Sequence, residues 1–294
     1  MKHLRTLEYI ASISSTGSIR RTAEQMNITP SALTRKIQDF EQELGAPVFE
    51  RLPQGMRLNA AGELLVRHIR SQISDFERLK SQISDLTGVR RGHVAIACSQ
   101  GFLDHILPEE IAAYRARFPL VSFSVQMRDH AQGLESLASF EADLALLLNP
   151  PPSQDMTVLL SSQHPLCAVL RRDHPLAGDG PIRLRECLEY PLAMPDKSLA
   201  IRHVLDAALV RNHQAASIAI ESGSLEFLRS YVLREDVISF QIALGAPLHQ
   251  NLHLRAIDQK DIPAIPFVLG YARGRSLPIA AAKFAEQISR SLAS

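Results

Sequence analysis

Residues 18–44 read SIRRTAEQMNITPSALTRKIQDFEQEL. Ile19, Ala23 and Met26 step by four and three, which is the spacing of one helical face. Asn27-Ile28 interrupts the pattern and Thr29-Pro30 restarts it. Threonine caps a helix start well, and proline at the first helical position gives up an N–H that has no intrahelical partner there. Leu33, Ile37, Phe40 and Leu44 then step by 4, 3 and 4, one apolar stripe to bury. Pro30 opens this second helix, and Ser31, Thr34, Arg35 and Gln38 fall on its opposite side. Short hydrogen-bonding groups and an arginine at a helix start suit the major groove of DNA, where a helix-turn-helix presents such a face to base edges.

The flanking stretches complete a small domain over residues 1–58. Leu4, Leu7, Ala11 and Ser14, with Ile10 beside them, predict a first helix over 4–15. Gly17 stops it and Ser18 caps the next. Gly45-Ala46-Pro47 ends the second helix of the pair, and VFERLPQGMRL follows as two short strands around Pro53-Gln54-Gly55. Such a hairpin is a wing, with Arg51 and Arg57 on its arms placed for phosphates and Gln54 at the tip for the minor groove. Asn59 then caps a helix running to about Thr87. Its apolar residues Val66, Ile69, Ile73, Phe76, Leu79, Ile83 and Leu86 step by 3, 4, 3, 3, 4 and 3. One narrow stripe on so long a helix needs a partner, so 59–88 reads as a linker and dimerisation helix.

Composition limits the function classes. The 294 residues carry 32 basic and 31 acidic groups, net +1, so nucleic-acid affinity must come from local placement. Residues 1–58 hold eight Lys or Arg against six acids, a difference of +2. Three cysteines, Cys98, Cys167 and Cys187, form no C-x-x-C and suggest a reducing compartment. MKHLRTLEYI has no apolar signal core, and no stretch reaches the roughly 18 apolar residues of a membrane span, so a cytoplasmic protein is expected.

After a polar linker at Gly88–Gly92, residues 92–294 change character. Strands are expected at 93–98, 121–126, 144–148, 156–160 and 166–170, with helices at 103–117 and 131–139. A second series follows, with strands near 192–194, 217–220 and 237–240, helices at 199–211 and 224–233, and a closing strand 267–271 and helix 277–291. Alternation of this kind argues for α/β lobes with parallel strands. Chain crossings near 160 and 265 suggest a hinged cleft between two of them.

These motifs together resemble the LysR-type transcriptional regulators. Ala23 to Arg51, AEQMNITPSALTRKIQDFEQELGAPVFER, is similar to the family signature almost residue for residue. Asn59-Ala60-Ala61-Gly62 resembles the family's entry to its linker helix, and His174-Pro175-Leu176-Ala177 fits its sensor domain. The fold class the resemblance implies is α/β overall. A mainly α winged helix-turn-helix and a long linker helix precede a two-lobed α/β effector domain of periplasmic-binding-protein type. It also implies a homodimer or homotetramer on double-stranded promoter or operator DNA, RNA polymerase as a further partner, and a small-molecule effector, often a carboxylate.

By position, the resemblance puts base contacts on Pro30, Ser31, Thr34 and Arg35. Arg35 has the fork that bonds guanine O6 and N7 together. Pro30 stands where relatives often carry glutamine, and Gln54 where they often carry arginine. In the effector cleft, Ser99 and Gln100 follow the first strand and open a helix, whose N–H groups make an anion site. Ser198 and Leu199 hold the matching loop of the facing lobe, and His130 starts another helix at its border. Leu148 and Asn149 end the third strand. Some relatives have an arginine near Leu148, which this chain lacks, so Arg202 is a substitute source of charge. Phe240 would lie near the cleft.

Other classes find less support. Gly178-Asp179-Gly180 is the only G-x-G, it precedes Pro181, and the third glycine of a dinucleotide fingerprint is absent. Walker A, H-E-x-x-H and G-x-S-x-G motifs do not occur. No metal or cofactor is expected. An α/β enzyme or a solute-binding protein with an accessory helical domain would leave the first 90 residues unexplained.

Overall fold

A computed structural model describes residues 4–52, 55–86, 91–245 and 249–293. For Arg51 and His130 only the backbone is described, and Gln54 at the wing tip lies outside the described residues. The chain divides into two compact units, one mainly residues 1–80 and the other mainly 81–294.

The first unit packs α1 (Leu4–Thr16), α2 (Ile19–Gln25) and α3 (Pro30–Leu44) around Ile10, Ile13, Ala23, Leu33 and Ile37. In α1 the buried face is Tyr9, Ile10 and Ile13, with Leu7 and Ala11 only partly covered. The inward stripe is therefore rotated from the one expected, because the bulkier Tyr9 and Ile13 take the core positions while Ser14 is only partly covered. Ser18 caps α2, its hydroxyl accepting from Arg21 N. Asn27 turns the chain at φ +52°, and the N–H of Ile28 reaches back to the carbonyl of Ala23. That six-residue closure satisfies a carbonyl the helix end leaves open. Thr29 caps α3 through Ala32 N, and Gly45, at φ +77°, ends it. Leu44, expected in the stripe, is 46% exposed, since the helix stops beside it.

Strands β1 (Phe49–Leu52) and β2 (Gly55–Leu58) pair antiparallel as the expected wing. Glu41 on α3 holds the wing's approach, its Oε1 accepting the N–H groups of Val48 at 2.7 Å and Phe49 at 3.4 Å. The Asn-Ala-Ala-Gly motif has a physical reading. Asn59 Oδ1 accepts from Gly62 N at 2.9 Å and its Nδ2 donates to the Pro47 carbonyl at 2.9 Å. A Cβ on Gly62 would lie 2.0 Å from the Val48 carbonyl oxygen, so only glycine lets the helix meet the strand entry there. Helix α4 (Ala60–Leu86) rises about 40 Å at 1.5 Å per residue over its 27 residues. Val66 and Ile69 join the core, whereas Ile73, Phe76, Leu79 and Ile83 are exposed.

The second unit has two lobes. In lobe I, β3 (Gly92–Cys98), β4 (Val121–Met127), β5 (Leu144–Leu148), β6 (Met156–His164) and β12 (Ile265–Ala272) form one sheet in the order β4-β3-β5-β12-β6. The first three strands are parallel and β12 runs antiparallel to both neighbours, so the sheet is mixed rather than parallel throughout. Helices α5 (Ile106–Arg117), α6 (His130–Ala138) and α10 (Ile279–Ala293) belong to this lobe. Tyr114, Phe123 and Phe284 meet edge to face under α5 and α10.

Pro165 alone separates β6 from β7 (Leu166–Arg171), and with that step the chain enters lobe II. There β7 lies between β10 (Ser239–Ile242) and β11 (Leu252–Ala256), all antiparallel. A parallel pair, β8 (Leu192–Pro195) and β9 (Ile218–Ser222), joins through a Leu192–Ile238 bridge. Helices α7 (Leu184–Cys187), α8 (Ala200–Arg211) and α9 (Leu225–Val232) complete the lobe. The chain returns between Ile257 and Ile265. The crossings thus fall close to the expected 160 and 265. Strand β11 and the one-turn α7 have no counterpart in the sequence reading: LHLRA mixes polar and apolar residues, and four residues are too few for a helical period. The first helix of lobe I also starts later than expected, because a 3-10 turn at Gln100–Phe102 precedes it.

Candidate nucleic-acid interface and effector cleft

Helix α3 presents Pro30, Ser31, Arg35 and Gln38 to solvent, with Thr34 half-buried between them. The Thr34 hydroxyl donates to the Pro30 carbonyl at 2.8 Å, so its donor is spent within the helix. Ser31 Oγ lies 3.2 Å from Thr29 Oγ1. Among the described residues Arg35 has no ion pair, and its side chain is exposed with its fork of N–H donors uncommitted. On the wing, Arg57 sits across from Glu50 with a 3.9 Å contact between exposed side chains, a weak pair in water. The structure therefore gathers the predicted helix residues onto one face. Arg57 lies on the neighbouring hairpin, in weak contact with Glu50.

The cleft residues behave differently. Ser99 is 2% exposed; its Oγ accepts the N–H of Leu148 at 3.0 Å and ties the ends of β3 and β5 together. It makes no side-chain cap to the turn after it. Leu148 and Phe240 are core, 2% and 0% exposed, because Leu148 lies on the central strand β5 and Phe240 on β10, and every residue of both strands is buried. Leu199 is equally buried, at 2%. Arg202 is buried and its charge is paired: Nε donates to Asp206 at 2.7 Å, and Nη1 donates to Glu221 at 2.6 Å and to the Pro195 carbonyl at 3.0 Å. A guanidinium neutralised by two carboxylates has no charge to offer a ligand. Leu148, Leu199, Arg202 and Phe240 are therefore structural, contrary to expectation. Ser198 is exposed but bonds Asp196 through both its N–H and its hydroxyl. Asn149 is half-buried at φ +47°, the small left-handed region asparagine tolerates.

Gln100 alone of these residues reaches the other lobe. Its Oε1 accepts the N–H of Leu225, the first residue of α9, at 3.1 Å. Beside it, Asp104 pairs with Arg229, and Arg229 Nη1 donates to Gln241 Oε1 at 3.2 Å. Sequence reasoning passed over Asp104, Arg229 and Gln241. The available signal was Arg229 itself, a charge set among Leu225, Leu228 and Val232 on the inward side of α9.

The remaining titratable groups serve the fold. Burial pushes the thiols of Cys98, Cys167 and Cys187 up to about 12, 11 and 12, far from a reactive thiolate. His174 accepts the N–H of Leu176 at Nδ1, 3.0 Å away, and packs at a tilt against the Tyr190 ring, which gives the His-Pro-Leu-Ala segment a turn-closing role. No grouping of metal-ligating side chains occurs among the described residues, and none of their helices is long and apolar enough to cross a membrane.

Comparison with known proteins agrees with this architecture. Residues 4–63 match the bacterial regulatory helix-turn-helix protein, lysR family, and residues 87–293 match the LysR substrate binding domain. The HTH-type transcriptional activator CmpR of Synechocystis is 26% identical over 230 residues, 78% of this chain and 75% of that protein. A full-length OxyR point variant from Pseudomonas aeruginosa superposes with a TM-score of 0.75 at 18% identity, covering 97% of this chain and 94% of that one. CbnR complexed with its target DNA superposes with a TM-score of 0.65 at 17% identity, over 98% and 99% of the two chains. The polar face of α3, the capped linker helix and the two lobes are thus the parts of a DNA-binding transcriptional regulator with an effector-binding domain, and the chain belongs to the LysR family.

Proposed function

We propose that Ser31, Arg35 and Gln38 read the bases of one half-site, with Pro30 and Thr34 packing their carbon surface against the groove. Arg51, Arg57 and Gln54 hold the adjoining backbone and minor groove. The observation that carries this reading is Arg35, exposed and without an ion pair among the described residues at the start of α3. Residues 1–58 act as the DNA-binding head, 59–88 as a dimerisation helix and 92–294 as the effector domain. The exposed stripe of Ile73, Phe76, Leu79 and Ile83 on α4 supports pairing of two chains, since burying it removes apolar area from water. A dimer or a pair of dimers then sets the spacing of the heads on promoter DNA, where RNA polymerase is the further partner.

The effector is a small carboxylate bound between the lobes of a cytoplasmic regulator. It acts by having unequal affinity for two lobe arrangements. Gln100 and Asn149 are the residues of the first expectation that keep polar atoms near the seam. Selective gel-shift binding to the DNA upstream of the protein's own gene tests the regulator reading. Equal affinity for that DNA and for random duplex, with and without a library of small acids, would sink it.

A further inference from the structure

The seam between the lobes has an asymmetry of hydrogen-bonding sense. Its acceptors come from the loop after β3 in lobe I: Gln100 Oε1 and the carboxylate of Asp104. Its donors come from lobe II: the N–H of Leu225 at the start of α9 and the guanidinium of Arg229. Gln241, 3% exposed on β10, gives its Oε1 to Arg229 and has a buried amide nitrogen with no partner among the described residues. Lobe II therefore shows a cation and N–H groups to a partner that supplies oxygen, and lobe I supplies it.

Arg229 decides what this arrangement can do. Its side chain is 12% exposed, so it cannot be left to water when Asp104 moves away. A buried cation without an anion is strongly unfavourable. Separating the lobes at this point thus requires a replacement acceptor. Asp104, at 29% exposure, is the more exposed member of the pair.

We propose that Asp104 and Gln100 form an interlobe latch that occupies the place of a carboxylate effector. A carboxylate that displaces Asp104 from Arg229 frees lobe I from α9 without leaving the guanidinium unpaired. The inference rests on the effector reading above and adds to it the group that is displaced, the group that is bound and the class of ligand. It also makes the unliganded arrangement a held state rather than a resting default, since the chain supplies its own substitute anion.

The test uses the full-length protein with Asp104→Ala, Asp104→Asn and the double variant Asp104→Ala/Arg229→Gln. The probe is sodium acetate against sodium chloride at equal ionic strength. In chloride, amide exchange over 225–229 should run about tenfold faster in both single variants than in the parent. Acetate should restore protection over 226–229 in Asp104→Ala by pairing the Arg229 guanidinium, and not in the double variant, which lacks the cation. Acetate indistinguishable from chloride in Asp104→Ala overturns the proposal. So does faster exchange in Asp104→Ala but not in Asp104→Asn, which would mean that packing rather than charge holds the seam. A screen in which small acids stabilise the parent and all variants alike sinks the latch and leaves the effector reading standing. Acetate rescue with no small molecule stabilising the parent supports the latch and sinks the effector reading.

Discussion

Arg35 and Arg202 occupy similar places in the chain and opposite places in the molecule. Each lies within the first two turns of a helix, and each has an aspartate four residues on, Asp39 and Asp206. Arg202 uses that aspartate at 2.7 Å and adds Glu221 and a carbonyl. Arg35 has no ion pair among the described residues. Burial accounts for the difference. A guanidinium 7% exposed must have its charge answered by nearby carboxylates, whereas an exposed one loses little by staying in water. The N-terminal unit thus holds groups in reserve on its surface, and the effector unit spends the same groups inside. The exposed stripe of α4 belongs with Arg35: Ile73, Leu79 and Ile83 also keep apolar side chains at the surface of the single chain.

The largest effect that would sharpen this contrast is on that stripe. Ile73→Asp with Leu79→Asp should cost about 3 kcal/mol or more of self-association, from about 1.5–3 kcal/mol per apolar side chain no longer buried. Sedimentation should show monomer at concentrations where the parent is dimeric, while α4 remains helical by circular dichroism. Parental self-association in the double variant would place the stripe with the spent groups. The two arginines come next. Arg202→Ala should lower unfolding stability by about 2 kcal/mol. That is less than the roughly 3–5 kcal/mol of a fully buried pair, because Asp206 and Glu221 stay about half in water. Arg35→Ala should leave stability within about 0.5 kcal/mol. It should cost about 1–3 kcal/mol of selective DNA binding, with discrimination relaxed at one base pair. An exchange of these phenotypes between the two variants would break the comparison outright.

The same contrast explains what could be read in advance. A helix carries its buried and exposed faces in its own period, so Leu33 and Ile37 point inward and Ser31, Arg35 and Gln38 outward with no knowledge of tertiary structure. Capping signals at Ser18, Thr29 and Asn59 are equally local. A cleft has no period. It is assembled from loops after β3, β5 and β8 and from the start of α9, and position along the chain does not say which side chain the neighbouring strand will cover. Phe240 and Leu148 are adjacent to the right loops and face the core. Asp104 and Arg229, 125 residues apart, meet only through the crossing at Pro165 and the return before β12. Leu44 shows the same limit on a small scale, since where a helix stops decides whether its last periodic residue is covered.

The smallest effect concerns pH and tests whether the effector unit's spent groups include its histidines. Burial lowers the pKa of His174 from its ordinary value, with Asp236 opposing that shift and Arg171 adding to it. Its Nε2 lies 3.8 Å from Asp236, too long for a hydrogen bond, and finds no other partner among the described residues. The folded state therefore prefers the neutral ring, and the unfolded chain binds the proton more readily. Stability from this group is full above the unfolded pKa of about 6.5 and is lost as pH falls through that value toward the folded one. His164 is shifted in the same direction by burial, so the two losses overlap. The thermal midpoint of the parent should fall as pH goes from about 7.5 to 5.5. In His174→Asn, whose amide oxygen can still accept the Leu176 N–H, the fall should be shallower but not absent. An identical pH slope in the two proteins would mean that the proton reaches His174 in the folded state, drawn by Asp236, and that this ring is held in reserve after all.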